Sequence, residues 1–71
     1  MMEEVEAVVT AVRPFDLHGV LYRDVTIVIG DRAPELVRLG PEGVPDGLEV
    51  GETVLATKVA NMVISLRRPE R

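Results

Sequence analysis

The stretch from Gly47 to Arg68, GLEVGETVLATKVANMVISLRR, constrains the fold more than any other part of the sequence. Leu48 and Val50 lead into Gly51-Glu52, a turn pair. Thr53 to Val59 then carries β-branched residues and a single charge, Lys58. Ala60-Asn61 breaks the run, and Met62 to Arg68 resumes it. Two β-rich runs separated by two residues read as a hairpin. A hairpin at the end of a short chain is a natural way to close a small β-barrel.

The rest of the chain supplies three more strands. From Glu4 to Arg13, a period of two puts Val5, Ala7, Val9 and Ala11 on one face. A period of 3.6 instead aligns Val5, Val8, Val9 and Val12 as the stripe of an amphipathic helix. The concentration of Val and Thr from Val8 to Val12 favours strand, because β-branched side chains lose rotamer freedom in helices. Pro14 is expected to end that segment. Phe15 to Gly19, FDLHG, reads as a loop with turn residues Asp16 and Gly19. Val20 to Ile29 alternates and reads as the second strand. Gly30 to Pro34 is a turn, and Glu35 to Leu39 is a short third strand. Gly40 to Gly47, GPEGVPDG, holds too many glycines and prolines for a stable helix and reads as loop. The tail around Pro69, with Arg67, Arg68, Glu70 and Arg71, is expected to fray. The expectation is a single all-β domain over residues 1–71: a small five-stranded barrel, OB-like, with an SH3-like barrel as the alternative.

Composition narrows the chemistry. A chain of 71 residues buries only roughly 60% of its unfolded surface, so its stability margin is thin. There is no cysteine, which removes disulfides, thiolate metal sites and thiol redox chemistry. With His18 the sole histidine, a histidine-based zinc site cannot be built within one chain, and neither metal nor cofactor is expected. The net charge of −4 disfavours non-specific contact with nucleic acid or anionic membrane. No run of about 18 apolar residues is present, so no membrane span is expected. The acidic start, MMEEVEA, lacks the basic region of a secretory signal, and the expected location is cytoplasmic. Arginine outnumbers the lone Lys58, glutamine is absent and Asn61 is the only asparagine. Heat-adapted proteins share this profile, and so do proteins of GC-rich genomes.

Signatures of catalysis are missing. No Gly-rich phosphate loop is followed by Lys-Ser/Thr. No hydroxyl residue stands in a nucleophile-elbow context, and His18 in its predicted loop is the only imidazole that could serve as a base. The acidic residues Glu3, Glu4, Glu6, Asp46, Glu49 and Glu52 read as solvated faces rather than as a paired acid–base site. On an OB-like barrel, ligands lie across strands two and three, between the first and fourth turns. Those turns map here to Phe15–Gly19 and Ala60-Asn61. The side chains able to reach that face are Phe15, Tyr22, Arg38, Lys58 and Asn61. Stacking platforms for single-stranded nucleic acid need several exposed aromatics, and this chain has one Phe and one Tyr. Phe15 reads rather as a core plug at a barrel end.

The segment Leu48-Glu49-Val50-Gly51-Glu52-Thr53-Val54 resembles the turn of the TOBE/Mop family of small OB-like barrels, Leu-x-Val-Gly-Asp/Glu-x-Val. In that family an Ala-x-Ile-Lys-Ala strand and a closing valine strand follow. With the turn aligned, Lys58 falls one position from the family lysine. The family's Ser-Ala-Arg-Asn opening and its middle-loop serine have no counterpart, since Ser65 is the only serine. The resemblance covers about the last third of the chain and implies the fold more than it implies molybdate or tungstate binding.

These readings converge on a non-catalytic binding or assembly module acting through a protein interface. The alternatives are an OB-type single-stranded nucleic-acid or RNA binder and a Mop-like oxyanion binder. Val28-Ile29 and Met62-Val63-Ile64 are apolar on both faces, whereas a strand with one face in water alternates. A homo-oligomer is therefore expected, with Val28 and Val63 at the interface.

Overall fold

The computed structural model describes residues 2–70. Five antiparallel strands form one curled sheet in the order β3-β2-β1-β4-β5. They are β1 (Met2–Leu17), β2 (Val20–Val28), β3 (Glu35–Leu39), β4 (Thr53–Val59) and β5 (Met62–Arg67). A short 3-10 turn, Pro41–Gly43, follows β3 inside the Pro/Gly loop. The architecture is a curled half-barrel of the small OB- or SH3-like kind, all-β as the sequence predicts.

β1 is the spine. Its first half pairs with β4, from Met2↔Val59 to Val8↔Thr53. Its second half pairs with β2, from Val8↔Val28 to Leu17↔Val20. The hand-over between partners occurs at a β-bulge, where Thr10 has no partner between Val9↔Ile27 and Ala11↔Thr26. The Thr10 hydroxyl donates to the Thr26 carbonyl there, at 3.3 Å. A bulge adds one residue to one strand, bends it and increases its twist. Here it also switches which side chains face inward, from Val5, Ala7 and Val9 before it to Val12 after it.

A second bulge acts in the same way on β5. Ile64 stands extra between Lys58↔Val63 and Thr57↔Ser65. Val63 and Leu66 are three residues apart, yet both point inward. Each strand thus contributes two buried residues to the core: Ala7 and Val9, Val25 and Ile27, Val37 and Leu39, Val54 and Ala56, Val63 and Leu66. Val44 and Leu48, from the loop between β3 and β4, pack against this core from one end.

Two expectations are corrected. Phe15 to Gly19 is not a loop: the strand runs on to Leu17, and only His18-Gly19 turns. Both turn residues have positive φ, 53° and 82°, which is the type I′ geometry that suits the twist of a two-residue hairpin. Asp16 Oδ1 accepts the Gly19 N–H at 3.2 Å. Nor does Pro14 end the segment, since it pairs with Arg23 inside the ladder. Residues opposite each other alternate between bonded and non-bonded pairs. Counting back from the closing pair Leu17↔Val20, Pro14 falls at a non-bonded position. Its missing N–H faces the side that β4 has already left, and proline is tolerated on such an edge.

The charged tail is also less free than expected. Arg67 donates to Glu4 with Nε–Oε2 at 2.6 Å and Nη2–Oε1 at 2.9 Å, which ties β5 to β1. Arg68 donates to Glu52 at 2.8 and 3.1 Å. Arg71 lies outside the described residues.

Candidate functional site

The outer face of the sheet gathers three of the five predicted ligand-contacting residues. Phe15 on β1 stands opposite Tyr22 on β2. Arg38 on β3 lays its guanidinium carbon 3.9 Å from the centroid of the Phe15 ring. The next row across the strands is Arg13, Asp24 and Arg38. Arg38 grips the Asp24 carboxylate with both arms, Nε–Oδ1 at 2.7 Å and Nη2–Oδ2 at 2.9 Å. Arg38 is thus doubly engaged, by a carboxylate and by an aromatic face.

Asn61 joins this group indirectly. It sits in the β4–β5 turn and, with Arg38, lines a groove of about 280 Å³ along the seam where β3 and β5, the two edges of the sheet, approach each other. The seam carries no ladder bonds, since β3 and β5 stand at opposite ends of the strand order. At its far end Gly43 lies so close to Ile64 that an added Cβ would come 3.3 Å from the Ile64 carbonyl oxygen.

Lys58 stands apart from the cluster. It belongs to the inward face of β4 with Val54 and Ala56, and only 8% of it is exposed. Its partners in register are Glu3 and Val63. Among the described residues no buried side-chain nitrogen or oxygen lacks a partner. The Lys58 ammonium therefore reaches water, while its stem lies along the core.

Of the two residues expected at an interface, Val28 is half-buried on the outer face, opposite Val8. Val63 points into the core and is 7% exposed. The apolar side chains of β5 left in water are its neighbours Met62 and Ile64. Register places Met2, Val59 and Met62 in one outward row. Leu36, from β3, lines the seam groove together with Met62. Met2, Leu36 and Met62 are each about two-thirds exposed, and together with Val59 they form an apolar belt that runs from the seam across β5 and β4 to β1. The sequence held a signal for this belt, because Leu36-Val37 and Met62-Val63 are each apolar on both strand faces. It did not show that the two would line one groove.

Three ion pairs dominate the electrostatics: Asp24–Arg38, Glu4–Arg67 and Glu52–Arg68. Hydrogen bonds from the arginines, reinforced by their charge, hold all three carboxyls below their ordinary values, against a smaller opposing effect of desolvation. For Glu52, the backbone N–H of Glu49 adds to this, donating to Oε2 at 2.8 Å. A carboxyl whose folded value lies below its unfolded one stabilises the fold fully above the unfolded value, and that contribution is lost as pH falls through the folded value. The melting temperature is therefore expected to be flat near neutrality and to fall from about pH 5 downward, where free carboxyls begin to protonate. The fall should be shallower in Glu4→Gln/Asp24→Asn/Glu52→Gln, which a series of thermal melts against pH would show. Equal acid sensitivity in that triple variant would place the responsible carboxyls elsewhere.

No group of three or more His, Asp or Glu side chains able to hold a metal ion occurs among the described residues. No helix among them is long and apolar enough to cross a membrane. Compared with protein-family models, with curated proteins and with solved structures, the chain finds no match.

Proposed function

We propose that this protein is a non-catalytic interaction module whose copies associate through the apolar belt of Met2, Leu36, Val59 and Met62. The observation that carries this reading is the belt itself. Leu36 and Met62 flank the seam groove, Met62 continues through Val59 to Met2 in one outward row, and all four side chains are exposed. Covering it in a closed dimer would also offset the thin margin of a small core.

The other two readings have less support in the geometry. Stacking a nucleobase needs an open aromatic face, and Arg38 lies over the ring of Phe15. The Arg38 charge is already matched by Asp24. An oxyanion site needs hydroxyl and amide donors converging with a cation. Lys58 is on the inner face, whereas Ser65 pairs with Thr57 on the outer face.

Sedimentation equilibrium at micromolar concentration tests the proposal. The wild type is expected as a dimer or larger, and Leu36→Glu/Met62→Glu as a monomer with its circular dichroism unchanged. Both positions are exposed, so the substitutions leave the core intact. A monomeric wild type, or a double variant that stays associated, refutes this interface.

A further inference from the structure

β1 is longer than either of its partners, so each of its halves leaves one side unpaired. The second half is open where β4 has ended, and Pro14 sits on that edge. The first half, residues 2–7, is open on the side where β2 ends at Val28. Proline and charge are the usual ways of closing an edge to further pairing. This edge has no proline.

The hydrogen-bond parity of the open edge follows from the ladder. The Val9 N–H donates to the Glu52 carbonyl at 2.9 Å, and the Val9 carbonyl accepts the Gly51 N–H at 2.8 Å, so Val9 faces β4. By alternation, Ala7 and Val5 also bond toward β4, while Glu6 and Glu4 direct their N–H and C=O groups to the open side. Beside that edge lies a groove of about 540 Å³, walled by Val5, Ala7, Val28, Ile29 and Gly30. The two faces of the edge differ. Val5 and Ala7 point inward, and Glu4 and Glu6 point outward. Glu4 is held by Arg67, while Glu3 and Glu6 form no ion pair among the described residues.

We propose that this open edge receives a basic, extended segment of a partner protein as an added strand. The added strand would bond to the backbones of Glu4 and Glu6. Its alternate side chains would be apolar, set against Val5, Ala7 and Ile29, and lysine or arginine, set against Glu6 and Glu4. The same charges exclude the commonest competitor. Two copies pairing these edges antiparallel about a two-fold axis at Val5 would set Glu4 of each opposite Glu6 of the other, an axis at Glu4 or Glu6 would set that residue opposite its own equivalent, and like charges directly opposite destabilise a ladder. Phosphate-bearing partners are repelled for the same reason. This inference rests on reading the chain as an interaction module. It uses a different surface from the apolar belt, so the two fail separately: one in oligomeric state, the other in peptide binding.

The test is fluorescence anisotropy with a labelled peptide alternating valine and lysine, as long as the open edge. Two control peptides replace lysine with glutamate, or group the valines and lysines into separate blocks. The proteins are the wild type, Glu6→Gln and Glu6→Pro. Proline at position 6 removes an N–H that faces the open side, so pairing with β4 is kept. The alternating valine–lysine peptide is expected to bind the wild type at least about tenfold more tightly than either control, with affinity falling as salt is raised. Glu6→Gln should weaken binding, and Glu6→Pro should abolish it. Amide exchange on the wild type, independent of any variant's folding, should show the Glu4 and Glu6 N–H groups slowed by the peptide. Equal binding by Glu6→Gln and Glu6→Pro, or by the block peptide, would exclude an added strand. Equal binding of the glutamate peptide would overturn the charge argument, and so would failure of every peptide to bind. Glu4 and Glu6 amides already protected without peptide would mean that a second copy holds the edge.

Discussion

Ile27→Ala is expected to lower the melting temperature by more than ~10 °C, while Leu36→Ala shifts it by only a few degrees. Ile27 is fully buried on β2, opposite Val9 on β1 and Glu35 on β3. Trimming a buried isoleucine to alanine costs about 2–5 kcal/mol, the lost transfer energy plus the cavity left behind. A domain of this length has only about 4–11 kcal/mol to lose. The core offers little relief, because its other fully buried members are valines and alanines on strands fixed by their ladders. Leu36 is two-thirds exposed and leaves no cavity when trimmed. Thermal melts at one fixed protein concentration keep association from confounding the comparison. Similar shifts in the two variants would mean that the core is not centred on β2.

The bulges explain what the sequence displayed clearly and what it concealed. β3 and β4 are bounded by charge, glycine and alternation, and their ends match the sequence pattern residue for residue. The first strand was ambiguous because Val5, Val8, Val9 and Val12 suit a helical stripe. In the structure Val9 and Val12 do share a face, but they do so through the bulge at Thr10, which advances the inward phase by one residue. A helix-like spacing of three is thus the imprint of a bulge in a strand. Val63 and Leu66 repeat it on β5. Local pattern cannot separate the two causes, because the register that makes a bulge is set by the partner strand. The same limit applies to the surface. Barrel topology put Phe15, Tyr22, Arg38, Lys58 and Asn61 toward one face; the first three share it, whereas Lys58 turns inward. That Arg38 is already held by Asp24, and that Leu36 and Met62 line one groove, depends on pairings between distant segments.

Gly51→Val should destabilise the fold by about 1–3 kcal/mol, the scale of a side chain forced into a disfavoured backbone region. Gly51 has φ +96°, a conformation in which valine is badly accommodated. Crowding is not the cause, since a Cβ at this position would meet nothing within 4 Å. The cost arises because the turn cannot relax. The Gly51 N–H is bonded to Val9, the Glu52 carbonyl accepts from the same residue, and Arg68 and Glu49 clamp the Glu52 carboxylate. Changing φ at Gly51 would therefore detach the entry to β4 from β1 beside the bulge. Gly43→Ala separates the two ways a glycine can be required. Its φ is not positive, but its Cβ would sit 3.3 Å from the Ile64 carbonyl oxygen. Its penalty should therefore appear as a loosened seam, with faster amide exchange in β3 and β5 and the β1–β4 ladder unaffected. Gly51→Val should instead speed exchange at Val9 and along the start of β4. A melt unchanged by Gly51→Val would show that this turn is free to adopt another shape and is not what fixes the two halves of β1 to different partners.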